Sequence, residues 1–544
     1  MKVIAAVFAD FRETFLGAPA RLRADVAGRR VLDHTLERLE RVRGLDGAAL
    51  VVRPDDARLA DDFLAQRRDF ELAPIDDLPR PRRELLRAAR KWSLASWRGG
   101  ALGTCWFDEF VEPALLARLA EHLSCDAVLC IEGHQAALDA EIAGDMVARI
   151  RQAADEAKLL FTQAPPGLAG VLLTRELIDD LAHTSNPLGL ALAYRPESPR
   201  SDPITRPPCF RVSPRVRQTA ARFVADTRRG FELLSKAFEA LGAACGAEEL
   251  CAWLADNPRV RFRCPVDVEL ELTTETALPD SSLAPPRARV APRRLEDLAA
   301  LERLARELAE YDDALVTLGG HGDPLLSERF PDACRILRAA GVCGVAVITD
   351  LVDLPEAAFE ALFAQRVDVL EARLNANSPE TYRAVHGRDA YEQVVANVRR
   401  IQAERRRRSS PQPILLCSLT RCTKTLEDLE PFYDRWIQEL GGATLRGYND
   451  YAGALPADTL IPMTPLVRQA CRRLDGSLAL LADGSTPNCA QDFAGETSSG
   501  SWREQGLMDI WNGRPRAALL AAHARPDLTQ YPQCQRCGEW NRAH

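Results

Sequence analysis

Six short apolar runs recur between residues 262 and 455, each separated from the next by room for a helix, and this repeat narrows the fold more than any other feature. Val266–Leu272, Ala314–Leu318, Gly344–Ile348, Val367–Leu374, Pro413–Leu419 and Ala443–Arg446 read as strands. Between them Arg294–Tyr311, Glu328–Ala340, Tyr391–Arg405 and Leu426–Leu440 carry helical periodicity. Strands that alternate with helices form parallel sheets covered by those helices, and six such units predict a partial parallel barrel. In such a barrel the loops at the carboxyl ends of the strands carry the site.

The front of the chain alternates in the same way. Val3–Phe8, Ala48–Val52 and Ala127–Ile131 read as buried strands, and Val31–Val42 and Ala140–Ile150 as helices. Residues 1–195 are therefore expected to form an α/β domain. A proline-rich stretch, Tyr194–Pro214, and the helical residues after it predict a linker and connector over 196–261. The barrel is expected over 262–455. The last part, 456–544, has short hairpin signals, such as Leu478–Ala482 followed by Asp483-Gly484.

Charge and composition exclude some functions. The 544 residues carry a net charge of −8, whereas nucleic acid and anionic membranes call for clustered positive charge. The run Arg405–Arg408 ends a helical pattern and reads as a solvated helix end. The chain shows neither a signal-peptide pattern nor an apolar window long enough to span a membrane, so a cytoplasmic location with reduced thiols is expected. Cys105, Cys125, Cys130, Cys334, Cys343 and Cys417 sit in apolar segments and read as small core residues.

Four other cysteines differ in setting. Twelve residues separate Cys471 from Gly484, and four more lead to Cys489. Cys534 and Cys537 form the chain's Cys-x-x-Cys. A hairpin turning at Asp483-Gly484 is expected to bring Cys471 and Cys489 together, with the Cys-x-x-Cys turn supplying an adjacent pair. Four such thiolates suit a four-iron four-sulfur cluster or a zinc ion equally on spacing alone.

Residues 264–544 resemble radical SAM enzymes that carry a SPASM domain. PVDVELELTTETALP (265–279) is similar to the first barrel strand and its loop, LGGHGDPLL (318–326) to the glycine-rich loop, and ARLNANSPETYRAVHG (372–387) to the fourth strand and its helix. With its front half, the chain looks most like the spiro-SPASM proteins. The resemblance implies one 4Fe–4S cluster on Cys471, Cys489, Cys534 and Cys537, with zinc as the alternative. It implies a single cluster because no further cysteines follow Cys537. It also implies a place for S-adenosylmethionine at Gly319, Gly320 and Asp323. Against this cofactor stands the loop where such enzymes carry Cys-x-x-x-Cys-x-x-Cys, since the aligned positions here are Thr276, Asp280 and Leu283.

The front half resembles nucleotidyltransferases through VLDHTLERL (31–39), LCIEGHQAALDAEI (129–142) and PPGLAGVLLTREL (165–177). Its nucleotide loop, Ala9–Thr14, lacks the glycines that let backbone N–H groups cradle phosphates. The metal-binding position falls around Glu132-Gly133-His134, with His134 expected at the surface. The expected function is an iron–sulfur protein with a degenerate S-adenosylmethionine site, acting on a peptide or protein in a redox, binding or maturation role. Two alternatives are an active radical enzyme modifying a peptide and a nucleotidyl or glycosyl transferase.

Overall fold

The computed structural model describes residues 1–75, 80–152, 156–184, 186–193, 202–461, 463–525 and 527–542. The chain forms two compact units, Met1–Arg261 and Phe262–His544. No helix among the described residues is long and apolar enough to cross a membrane.

The first unit is built on a seven-stranded mixed sheet. Its strands are β1 (Val3–Phe8), β4 (Gly47–Val52), β5 (Phe70–Pro74), β6 (Ala127–Glu132), β7 (Leu159–Thr162), β8 (Val171–Thr174) and β9 (Cys209–Phe210), in the order β5-β4-β1-β6-β8-β7-β9. A two-stranded ribbon, β2 (Asp25–Val26) and β3 (Arg29–Arg30), stands apart. β1 pairs in parallel with β4 and β6, and β8 runs antiparallel to β6 and β7. The central strands are apolar on both faces because helices cover both sides, which is why they read as unbroken hydrophobic runs. Of the expected linker, residues 196–201 lie outside the described residues. The helices Arg228–Leu241 and Ala247–Asp256 pack into this unit: Leu234, Phe238 and Leu250 share a buried cluster with Val31, Ala136 and Leu168.

The second unit holds an open seven-stranded sheet with every neighbouring pair parallel. Its strands are β10 (Asp267–Glu271), β11 (Leu315–Gly319), β12 (Gly344–Thr349), β13 (Val369–Ala372), β14 (Ile414–Arg421), β15 (Ala443–Gly447) and β16 (Ser477–Leu480). Their order is β15-β14-β13-β12-β11-β10-β16. The first six are the expected barrel strands in sequence, with helices between them that include Leu298–Ala309, Phe330–Ala340, Glu356–Ala364, Tyr391–Arg407 and Leu429–Leu440. One face of β10 is apolar: Val268 and Leu270 are buried with Leu304, Leu318 and Leu337 beneath the helices. Asp267, Glu269 and Glu271 alternate with them and therefore face the concave side.

The seventh strand adds a sheet partner to the segment of the expected hairpin. A tight turn does close at Asp483-Gly484, with the Gly484 N–H donating to Leu481 O at 3.0 Å. β16, which leads into that turn, also pairs with β10, Asp267 opposite Ser477 and Leu270 opposite Leu480. The short β17 (Ser485–Thr486) pairs instead with β18 (Gly500–Ser501). The reason is burial: Leu478 and Leu480 enter the barrel's apolar cluster, a larger core than a free hairpin offers.

Candidate metal centre and barrel mouth

Cys471, Cys489, Cys534 and Cys537 are all half-buried and none is in a disulfide. Each position has a local cause. Cys471 precedes the turn Arg473–Gly476 that feeds β16, and Cys489 follows β17. Cys534 sits in the helical turn Pro532–Arg536, whose proline fixes its first residue, and Cys537 ends that turn. The four thiols lie within electrostatic reach of one another: Cys489 feels Cys471, Cys534 and Cys537, and Cys534 feels Cys471 and Cys537. Burial pushes the Cys489 thiol up to about 12 and that of Cys534 up to about 11. A metal that binds them as thiolates therefore displaces protons.

The surroundings suit thiolate ligands. Backbone N–H groups of Leu474 and Arg473 face the Cys471 sulfur, and that of Gln491 faces Cys489. The Glu539 N–H donates to the Cys537 Sγ at 3.3 Å. Such N–H donors stabilise sulfur-centred negative charge and tune the potential of a cluster. Among the described residues no three His, Cys, Asp or Glu side chains close on a single ion.

At the carboxyl ends of β10 and β11 the sequence-predicted residues do come together on one rim. Glu271 stands opposite Gly319 in the ladder, and the Asp323 N–H donates to Glu275 O at 2.7 Å. Thr276 Oγ1 donates to Asp350 at 3.3 Å. The glycines serve close packing. A Cβ on Gly322 would lie 2.3 Å from Thr273 O and 2.5 Å from Glu275 O. Gly320 adopts a φ of +97° with the Glu271 Cβ close above it. The Asp323 carboxylate is buried and already engaged, accepting from Thr349 Oγ1 at 2.8 Å, Asp350 N at 3.1 Å and Leu325 N at 3.0 Å. Burial, with the charge of Asp350, raises it to about 6.

The loop 276–283 is fastened to the helix Pro379–His386. Ser281 Oγ lies 2.9 Å from His386 Nδ1, and both the N–H and the hydroxyl of Ser282 donate to Val385 O at 2.9 Å. Burial drives the His386 imidazole down to about 4, so it is neutral at ordinary pH.

A buried ion pair joins the barrel to the cysteine-bearing segment. Arg293 donates from Nε to Glu271 Oε1 at 2.7 Å and from Nη2 to Glu271 Oε2 at 3.0 Å. The same Nη2 donates to Phe493 O at 2.8 Å, and the Ala482 N–H donates to Glu271 at 3.3 Å. Sequence reasoning missed this pair, although the D-V-E-L-E-L alternation of 267–272 signals a strand with one charged face.

In the first unit His134 is buried, correcting the surface expectation. Its Nδ1 lies 2.7 Å from Glu132 Oε1, and the Arg21 N–H donates to its Nε2 at 3.2 Å. Burial alone would lower this imidazole, but the Glu132 carboxylate outweighs it and raises the pKa. Asp10, in the loop without glycines, pairs with Arg53 at 2.6 Å and Arg83 at 3.1 Å.

Residues 471–538 match the SPASM family, an iron–sulfur cluster-binding domain. The match begins on Cys471 and ends one residue after Cys537. The carboxyl-terminal part of the chain thus carries a SPASM domain, in the same unit as the open parallel sheet. An uncharacterized protein of Treponema pallidum is 26% identical over 293 residues, spanning 51% of this chain and 79% of its own. Streptococcus suis SuiB bound to its precursor peptide SuiA is similar at 11% identity, covering 50% of this chain and 70% of that one, with a TM-score of 0.40. A cytidylyltransferase of Leptospira borgpetersenii is similar at 13% identity over 48% of this chain and 96% of that one, with a TM-score of 0.35.

Proposed function

We propose that this protein holds one 4Fe–4S cluster on Cys471, Cys489, Cys534 and Cys537, and that its barrel brings a peptide or protein partner to that cluster without cleaving S-adenosylmethionine reductively. The observation that carries the second half is the loop 276–283. Reductive cleavage needs three thiolates there, leaving one iron open to chelation by the methionyl group. Thr276 and Asp280 offer oxygen, which suits hard cations, and Leu283 offers no donor. The hydrogen bonds of Ser281 and Ser282 to the helix Pro379–His386 support a structural role for the loop. Gly320 and Asp323 are read likewise: Gly320 fits loop packing and the Asp323 carboxylate is spent on Thr349, Asp350 and Leu325, while Gly319 has room for a Cβ.

The cluster reading rests on the four thiols, their backbone N–H donors and the family match of 471–538. A bound cluster would supply one-electron chemistry; the chain's own part is to hold it and to exclude or admit a partner at the barrel mouth. The test is anaerobic purification followed by iron, sulfide and zinc analysis and a visible spectrum. Incubation with a strong reductant and S-adenosylmethionine completes it. The expected result is one cluster's worth of iron and sulfide with no 5′-deoxyadenosine above a no-protein control. Stoichiometric zinc without iron would defeat the first half, and iron-dependent 5′-deoxyadenosine the second.

A further inference from the structure

Arg468 precedes Cys471 in the chain, yet its side chain is anchored on the turn that carries the other pair of thiols. Its Nη1 donates to Gln535 O and to Cys537 O, both at 3.4 Å, so the guanidinium sits on the Cys534–Cys537 turn. Its Cζ stands 5.7 Å from the centre of the Trp540 ring, within cation–π reach. The two carbonyls and the ring fix the group in place and use only part of it.

Both Nε and Nη2 of Arg468 are buried without a hydrogen bond. Several arginines leave a buried Nε unpaired. Among the described residues Arg468 alone leaves a buried terminal nitrogen unpaired as well. No carboxylate comes within ion-pair distance of it among those residues, whereas Arg293 and Arg446 are each closed by a glutamate. Buried N–H groups with nothing to meet cost free energy, so such a group points to an acceptor. The surroundings supply no counter-charge. His523, on the helix Arg514–Ala524, is buried with both ring nitrogens unpartnered. Burial, and after it the Arg468 charge, drives this imidazole down to about 4, so it is neutral. Burial and the neighbouring thiols push Cys534 up to about 11, while the Arg468 charge pulls the other way. An uncompensated cation with two free donors therefore stands on the turn that supplies two of the four cysteines.

We infer that Arg468 is a positioning residue of the metal centre: its charge and its two unspent N–H donors serve the sulfur of a cluster held at Cys534 and Cys537 and raise the potential at which that cluster is reduced. A cluster on four thiolates is negatively charged, and reduction adds one electron and one further negative charge. A fixed cation beside it favours the reduced form, and N–H donors to sulfur act in the same direction. A guanidinium suits this place because its planar fork spends one nitrogen on the carbonyls and keeps the others for sulfur. The inference rests on the reading that the four cysteines hold a 4Fe–4S cluster, and names the residue that tunes it.

Redox titration of the anaerobic full chain tests it, with dithionite as the one-electron reductant. Visible and electron paramagnetic resonance spectra report the reduced fraction, and iron and sulfide are measured in every sample. Arg468→Gln keeps a donor for the carbonyls and removes the charge. At the wild-type midpoint its ratio of reduced to oxidised cluster should be about tenfold lower, a downward shift of about 59 mV for one electron. Arg468→Lys restores the charge without the planar fork, and should bring the ratio back to within about threefold of wild type. Arg514→Gln, at an exposed position elsewhere in the domain, should leave it unchanged. A change of less than about threefold in Arg468→Gln at full iron content overturns the inference and leaves the cluster reading standing. A lysine variant that shifts as far as the glutamine one does the same, as does loss of iron from both, which would make Arg468 a brace for the turn. Iron lost from Arg468→Gln but kept by Arg468→Lys at the wild-type midpoint supports it. Zinc in place of iron in the wild type removes the cluster reading and the inference together.

Discussion

Replacing Arg293 with methionine would strand the Glu271 carboxylate inside the joint between barrel and cysteine domain. The side chains are 3% and 1% exposed, so water cannot take over the lost contacts. Breaking a buried pair from one side costs about 3–5 kcal/mol. The N–H groups of Ala482 and His321 still point at Glu271, at 3.3 and 3.4 Å, which places the expected loss near the low end, about 3 kcal/mol. Arg293 also holds Phe493 O, so the loss falls on the segment that carries Cys489. Hydrogen exchange over 477–501 reads it directly: about 3 kcal/mol is roughly a hundredfold increase in opening. Pairing Arg293→Met with Glu271→Leu should return exchange to within about tenfold of wild type, because the uncompensated charge is gone. A single variant whose exchange changes less than threefold would refute the reasoning, since Glu271 would then not depend on Arg293 for its burial.

Other outcomes follow from the same structure. Gly322→Ala should cost about 1–3 kcal/mol in chemical unfolding, because its Cβ meets backbone oxygen at 2.3 Å. Gly319→Ala, whose Cβ finds only Ile348 at 3.7 Å, should be nearly neutral. Cys537→Ser should lose iron in elemental analysis, whereas Cys334→Ser, in the apolar core, should keep it. Burial raises the half-buried Asp267 carboxyl to about 7. A carboxyl raised in the folded state binds its proton more tightly there than in the unfolded chain. The fold therefore loses stability as pH climbs from about 4 to about 7, by roughly 2 kcal/mol once partial exposure is discounted. Urea unfolding at both ends of that range should show the loss in wild type and its absence in Asp267→Asn.

Barrel strands such as Gly344–Thr349 and Ile414–Arg421 were legible because they are largely buried and so appear as apolar runs. The pairing of β16 with β10 was not, since Leu478 and Leu480 fit a hairpin and a sheet edge equally, and the choice is made by a core assembled from distant segments. The four cysteines of the candidate centre were found by spacing. Arg293 escaped because its role depends on the Glu271 carboxylate that the fold buries beside it, which no local pattern records. His134 was misplaced for a related reason: a histidine after a glutamate reads as polar surface until the fold closes over both.

The strand β16 also bears on how the protein is made. Asp267 finds its partner Ser477 only 210 residues later in the chain. While those residues emerge from the ribosome, β10 presents an open edge to any extended strand in the cell. The residues that close it lie between Cys471 and Cys489, two of the proposed ligands of the cluster. Delivery of iron and sulfur would then act as the final step of barrel assembly, and a cell short of either would accumulate chains with one raw edge. Such chains are substrates for proteases and seeds for aggregation, so the supply of clusters would set the amount of this protein as well as its redox state.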